Sequence, residues 1–336
     1  MSSSTSEPRR IRRAYIWIAA IVVVLFAILT GFWFYAASEL DRVTSRAIEN
    51  AERDGILVSC DGRDVVGYPF RLGLVCDDLS VIVPRNGVEV DAGSFRSAAQ
   101  IYQPNLVVSE LSAPVRIETA GELPVDLNWE LAQSSASFWT EGLDRISIAI
   151  DAPRIAIGGE LVFNASSGEL HARRRDGDLD IAGNQRSAKI DIPQLSSIPD
   201  FDLSTDLTIQ NAADWLSGTA SGRSARELFA GRSGTLRSLQ LQLSGDPAGA
   251  DLAGDFSFSQ EGLLSGTFDL AVTSPERLAS IIGSIAPEAQ SIANTVASVV
   301  PYVGTTENGR TTIRVTANDG QLAAGVIPLG QIPPLK

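Results

Sequence analysis

The sequence predicts a mainly β protein: a long antiparallel sheet, curved or meandering, with one or two C-terminal helices packed on it and a transmembrane helix at the N-terminus. Three observations carry this. Residues 14–37 are an uncharged run rich in Ile, Val, Phe and Trp. Beyond residue 55, apolar and polar residues alternate in short runs bounded by Gly, Pro, Asn and Asp, the period of half-buried strands. Within residues 275–300 that rhythm gives way to apolar residues at helical spacing.

At ~1.5 Å per helical residue the apolar run reaches roughly 36 Å, against a hydrocarbon core of about 30 Å. Arg9, Arg10, Arg12 and Arg13 precede it, and Glu39 and Asp41 follow it. The positive-inside bias places residues 1–13 in the cytoplasm and the remainder across the membrane. Tyr15 and Trp17 at one end, and Trp33 and Tyr35 at the other, fit the two interfacial aromatic belts. A cleaved secretory signal shares the basic start, and Ala36-Ala37-Ser38 offers it small residues. Signal cores run to about 7 to 15 residues, so the length here favours an uncleaved anchor. Both readings export the same domain.

Residues 38–54 continue as a charged helical stalk, with Leu40, Val43 and Ile48 or Ala51 on one face and Gly55 as its stop. Residues 55–336 form the β-rich part, expected in the periplasm. Strands are expected over 79–83, 88–91, 94–102, 106–111, 115–119 and 125–131, punctuated by Pro84, Asn86, Gly87, Pro104, Pro114 and Pro124. The series resumes over 145–151, 154–157, 168–174, 178–181, 201–209, 236–243, 256–258 and 266–272. Short turns between such runs suit an antiparallel meander with one buried and one solvated face.

Residues 212–228 break the rhythm, as does the helical region. There, Ser274 is placed as N-cap and Pro275 at the first helical position, with Leu278, Ile281, Ile282 and Ile285 on one face. Pro287 divides it, and a second helix carries Ile292, Val296, Val299 and Val300 before Pro301 ends it. The pair is expected to cover a sheet. Strands over 311–317 and 321–326 then flank Asn318-Asp319-Gly320, a hairpin signal.

The chain has 27 basic and 40 acidic side chains, net −13, and losing the tail arginines makes the exported part more acidic still. Such a surface repels phosphate backbones, so nucleic-acid binding is disfavoured and membrane contact falls to the anchor. Arg173, Arg174 and Arg175 lie beside Asp176, Asp178 and Asp180 and read as a solvated hairpin end. The single histidine, His171, shares a strand face with Glu169 and Arg173, which makes it a poor base and leaves no His-rich metal site. No phosphate-binding or dinucleotide glycine loop is present, and no cofactor is expected. The expectation is a protein that is not an enzyme.

Cys60 and Cys76 both lie in the exported part, where thiols oxidise, and a disulfide between them is expected ahead of two free thiols. Between them stands Gly67-Tyr68-Pro69-Phe70-Arg71-Leu72, a tied hairpin or corner that projects Tyr68 and Phe70 into the core or onto a partner.

These residues carry a resemblance. The anchor, Val58-Ser59-Cys60, the Gly67-Tyr68-Pro69-Phe70-Arg71 motif, Val75-Cys76, Asn318-Asp319-Gly320-Gln321-Leu322 and Gly325-Val326-Ile327-Pro328-Leu329-Gly330 together resemble an uncharacterised family of alphaproteobacterial envelope proteins, domain-of-unknown-function family 2125. The texture is more loosely similar to AsmA-like envelope proteins. That likeness implies a curved open sheet with an apolar concave face. The resulting expectation is a non-enzymatic domain tethered to the inner membrane that offers a groove to lipid or another hydrophobic ligand. Its candidate contacts are Tyr68, Phe70, Ile281, Ile285, Ile292 and Val296. The alternative is a structural or protein-interaction component of the envelope whose sheet is filled by its own side chains.

Overall fold

The computed structural model describes residues 8–140, 142–195, 198–220 and 222–336. Helix α1 (Pro8–Arg53) is one rod of 46 residues, so the apolar run and the stalk are a single element. Among the described residues it is the one helix long and apolar enough to cross a membrane. Residues 15–28 expose their side chains on every side. From Trp33 onward one side of the helix meets the sheet: Trp33 and Ala37 are buried, and Leu40, Thr44, Ile48 and Ala51 are half-buried. Val43, expected on that face, is 50% exposed. The contact line passes through Thr44, and its neighbour points about 100° away. The helix closes on Gly55, whose φ is 82°. The Gly55 N–H bonds Glu52 O (3.0 Å) and the Ile56 N–H bonds Ala51 O (2.9 Å), the paired bonds of a glycine-terminated helix.

Seven long strands follow, each broken near its middle. They are β1 (Leu57–Asp61) with β2 (Asp64–Val66), β3 (Arg71–Cys76) with β4 (Asp78–Val83), and β5 (Val88–Ala92) with β6 (Phe95–Gln100). Then come β7 (Gln103–Leu111) with β8 (Val115–Thr119), and β9 (Val125–Asn128) with β10 (Leu131–Trp139). The last two are β11 (Gly142–Asp151) with β12 (Arg154–Ile157), and β13 (Glu160–Asn164) with β14 (Ser167–Arg175). β15 (Asp178–Ile190) runs unbroken. Backbone bonds carry the ladder across the breaks, as from Asp77 N to Asp61 O (2.7 Å), Ser112 N to Ser94 O (2.8 Å) and Ala152 N to Ser166 O (2.9 Å). The run expected over 125–131 is interrupted at 129–130, where the Trp129 indole turns into the bend and donates to Leu111 O (2.9 Å).

On one side of the breaks the strands pair in the order β1-β4-β5-β8-β9-β12-β13. On the other the order is β2-β3-β6-β7-β10-β11-β14-β15. We name these the distal and proximal halves from their positions along α1. The proximal half begins beside the apolar run, where Trp33 Nε1 donates to Arg71 O (2.7 Å). The bend lies beside the stalk, where Arg63 pairs with Asp41 (3.1 Å) and donates to Ser45 Oγ (2.9 Å). The distal half ends beside the tip of α1, where a Cβ on Gly55 would stand 3.6 Å from Arg85 Nε.

The proximal ladder continues through β16 (Phe201–Ile209), β17 (Ser233–Leu243), β18 (Gly249–Phe258) and β19 (Leu264–Thr273). It finishes with β20 (Thr305–Glu307), β21 (Arg310–Asn318), β22 (Gln321–Ala324) and β23 (Ile327–Gln331). β21 pairs with β19, and its other edge is shared by β20 and β22, with β23 outside β22. The 23 described strands form one sheet, and every pairing named above is antiparallel.

α2 (Ala225–Phe229) is a short turn with a reciprocal cap between Ser224 and Glu227. α3 (Pro275–Ile285) and α4 (Gln290–Val303) are joined by a 3₁₀ turn at Pro287–Ala289. Ser274 makes no side-chain cap; it sits in the left-handed region at φ 52°, and its carbonyl accepts from Arg277 and Leu278 (3.1 and 3.2 Å). Pro301 does not end α4, which runs on to Val303. In the last turn a proline forfeits one donor, and Gly304 N–H still reaches Val300 O (3.0 Å). The pair packs on β17, β19, β21 and β23, burying Leu243, Val272, Leu278, Ile281, Val300, Ile313 and Leu329 together.

The opposite face is polar. One register row across it reads Arg145, Arg173, Asp180, Thr208, Thr235, Asp255, Thr267 and Thr316. The arginine run is not simply a solvated hairpin end. Asp180 is 5% exposed, and it accepts from Arg173 Nε (3.1 Å), Arg175 Nε (3.1 Å) and Thr208 Oγ1 (2.6 Å). Burial alone would raise its carboxyl pKa, but the bonds from Arg175, Thr208 and Arg173 outweigh it and hold the group well below the usual carboxylate range.

Two predictions follow the architecture. Cys60 in β1 and Cys76 in β3 are bonded diagonally across the bend, with Cα atoms 5.2 Å apart. Replacing both by serine should cost about 3 kcal/mol in denaturant unfolding, and alkylation of the native protein followed by intact mass should find no free thiol. Asp180→Asn should cost ~1–3 kcal/mol at neutral pH, because it leaves arginine donors short of a charged acceptor. A depressed folded pKa contributes stability above the unfolded value of about 3.9 and loses it as pH falls towards the folded value, so the variant's deficit should shrink below about pH 4. Melting curves at neutral and acid pH check this; an equal deficit at both would contradict it.

Candidate apolar binding site

The apolar face is built by alternation held in register. One row across the proximal sheet reads Ile146, Ala172, Ile181, Leu207, Leu236, Gly254, Phe268 and Val315. The next reads Ile148, Leu170, Gly183, Thr205, Leu239, Leu252, Leu270 and Ile313. In the distal half the matching face carries Leu79, Ala92, Val115, Leu127, Ile155 and Phe163. Cys60 pairs with Leu79 on that face, and its bond to Cys76 brings both halves onto one side of the bend.

The helix pair covers only part of this face, and three open clefts remain. The first, about 330 Å³, lies between the helices and the sheet and is lined by Leu241, Leu270, Leu278, Ile282, Ile292, Val296 and Leu322 among others. A Cβ on Gly330 would come 2.8 Å from Ile292 Cγ1, so β23 pins Ile292 in place. The second, about 380 Å³, is lined by Leu207, Phe229, Leu236, Leu252, Phe256, Phe258, Leu264 and Phe268. It shares Leu322 and Ile332 with the first. The third, about 390 Å³, is lined by Ile148, Ile150, Pro153, Leu170 and Leu203, with Gln185 and Thr205. Leu203 is the register partner of Leu241 in the first cleft. The three therefore succeed one another along one trough, each of a volume suited to a small apolar ligand.

One lip of the trough is aromatic. Trp215 meets Phe229 edge-on at 5.5 Å, Phe229 meets Phe258 at 5.4 Å, and Phe258 meets Phe256 at 5.9 Å. Arg232 lies 5.3 Å over the Trp215 ring, on its outer side.

The six residues expected to make hydrophobic contacts do not converge. Ile292 and Val296 line the first cleft. Ile281 is buried in the core, and Ile285 is 50% exposed. Tyr68 packs on the anchor helix: its hydroxyl is 2.9 Å from Thr30 Oγ1, and its ring stands edge-on to Trp33 at 5.4 Å. Phe70 is exposed in the same turn. Leu207, Leu236, Leu252, Phe256 and Phe268 were not singled out. Their alternation was visible, but no sequence signal says which strands would be neighbours.

Among the lining residues of the three clefts the one titratable group is Glu169, beside Asn184 in the third. His171 is on the polar face with Nε2 3.4 Å from Glu169. Asp178 accepts from Asn211 N (3.0 Å) and shares Arg175 with Asp180, so the acidic series is held by backbone and arginine donors. Among the described residues no group of three or more His, Cys, Asp or Glu side chains could hold a metal ion. What the trough can do is shield apolar surface.

Comparison with curated proteins returned no match. The sequence profile of a family described as uncharacterised proteins conserved in bacteria, domain-of-unknown-function family 2125, matches residues 33–333. The match starts at Trp33, where α1 first buries a side chain against the sheet, and runs past β23. Since it takes in the whole sheet and the walls of all three clefts, the chain belongs to this family of uncharacterised bacterial proteins.

Proposed function

We propose that this protein is a single-pass component of the inner membrane, with residues 1–13 in the cytoplasm and 55–336 in the periplasm, that holds the acyl part of a lipid in the trough. The observation that carries the reading is a run of three adjoining clefts with almost wholly aliphatic and aromatic walls, on a sheet tied to a helix of membrane-spanning length. Burying acyl surface there yields roughly 25 cal/mol per Å². Glu169, the carboxylate among the lining residues, is engaged by His171 and Asn184 on the polar face, so binding without chemistry is the role the walls support. The likeness to AsmA-like proteins agrees with this reading and adds no residue to it. The second reading, a scaffold contacting another envelope protein, draws on the polar face and its exposed Asp206, Asp255 and Asp269.

Native mass spectrometry of the full-length protein from cell envelopes, with extraction of whatever co-purifies, tests the proposal. Phospholipid adducts should survive detergent exchange. They should fall at least about tenfold, or ~1.4 kcal/mol, in Leu252→Glu and Ile292→Glu variants that melt cooperatively. A clean apo mass across preparations would favour the scaffold.

A further inference from the structure

We infer that three aromatic turns of the proximal sheet enter the bilayer interface beside the anchor, so that the domain sits in the membrane surface and does not stand off it on a stalk. The segments are 67–70 before β3, 101–102 between β6 and β7, and 138–140 at the end of β10. They carry Tyr68, Phe70, Tyr102, Phe138 and Trp139. All five are exposed, Phe70 by 60% and Tyr102 by 77%. None of the residues in these three segments is charged. The guanidinium of Arg174 in β14 lies 5.2 Å over the Trp139 ring, as a basic side chain at a headgroup level would.

Their depth follows from the contact with α1. Tyr68 touches Thr30, and Thr30 lies ~10 Å along the helix before residue 37, the end of the apolar run. If α1 crosses a bilayer, that turn is below the level where the first charged residue, Glu39, leaves it. The strands rise beside the helix. From Thr30 to Asp41 the helix climbs about 17 Å, and from the turn to the bend beside Asp41 the six residues of β3 climb about 20 Å. The other two turns are at the same end of the sheet. Ile101 N donates to Phe70 O (3.1 Å), Arg71 pairs with Gln100, and Leu106 pairs with Ser137. At ~4.8 Å per strand the row extends roughly 19 Å from the anchor side.

The row then changes character. The next turn, between β14 and β15, is Asp176-Gly177 flanked by Arg175 and Asp178. The turns at the opposite end of the strands, in the distal half, carry Arg85 and Asn86, Glu122 and Leu123, and Gly158 and Gly159. Tyr and Trp together on one end, next to a membrane span, is the composition of an interfacial belt, where an apolar ring and a polar edge are both satisfied. The proposal rests on α1 spanning the membrane and is independent of what the trough holds.

The test uses full-length protein in vesicles of phosphatidylethanolamine and phosphatidylglycerol. Because Cys60 and Cys76 are bridged, an environment-sensitive thiol label goes only to an introduced cysteine. Tyr102→Cys and Trp139→Cys report on the turns, Phe26→Cys on the span, and Leu123→Cys, exposed at the far end, serves as the matched control. Labels at 102 and 139 should show blue-shifted emission and lose it to lipids carrying a nitroxide near the acyl carbonyl. The label at 26, in the middle of the span, should lose it to lipids carrying the nitroxide deep in the acyl chain. The label at 123 should show neither. Quenching at 26 with none at 102 and 139 overturns the proposal and leaves the span intact. Absence of quenching at 26 as well overturns the span and the proposal with it.

Discussion

Every backbone N–H and C=O in a strand has to find a partner across a ladder, and in this chain the ladder runs through 23 strands without closing on itself. An open antiparallel sheet has two unpaired edges and, with this alternation, one apolar face. The other elements lie where those liabilities are. α1 runs along β1 and β2, the first edge, with Trp33 bonded to the backbone of β3. β20, β22 and β23 divide the edge of β21 between them. α3 and α4 cover part of the apolar face.

The bends keep so long a sheet workable. Seven strands break at one level, backbone bonds carry the ladder across it, and the disulfide ties Cys60 of the distal half to Cys76 of the proximal half at the first edge. Trp129 fills the bend from within the ladder. On the polar side, Asp180 is the counterpart of this order. A carboxylate is affordable at 5% exposure only because guanidinium and hydroxyl donors converge on it from β14 and β16.

Incomplete cover of the apolar face is the feature on which the proposed function rests. The helix pair spans only the strands near the C-terminus, and α2 with Trp215 guards one lip. Between them Leu, Ile and Phe side chains remain uncovered, on a sheet whose first edge carries a helix long and apolar enough to cross a membrane. His171, Asp178 and Asp180 lie on the other face.

Much of this was legible beforehand. Alternation identified most strands, the length and flanks of residues 14–37 identified the apolar helix, and two cysteines sixteen apart pointed to a bridge that the structure contains. These features are local, set by side-chain period, span length and the chemistry of a thiol pair, and the sequence determined them by itself. The neighbours of each strand, the shared level of the breaks, the burial of Asp180 and the walls of the trough were settled only in the tertiary structure. Ile148, Leu252 and Ile313 lie far apart in the chain and meet on one row through successive register choices. Alternation constrains which face a side chain takes; it carries no information about which strand lies alongside.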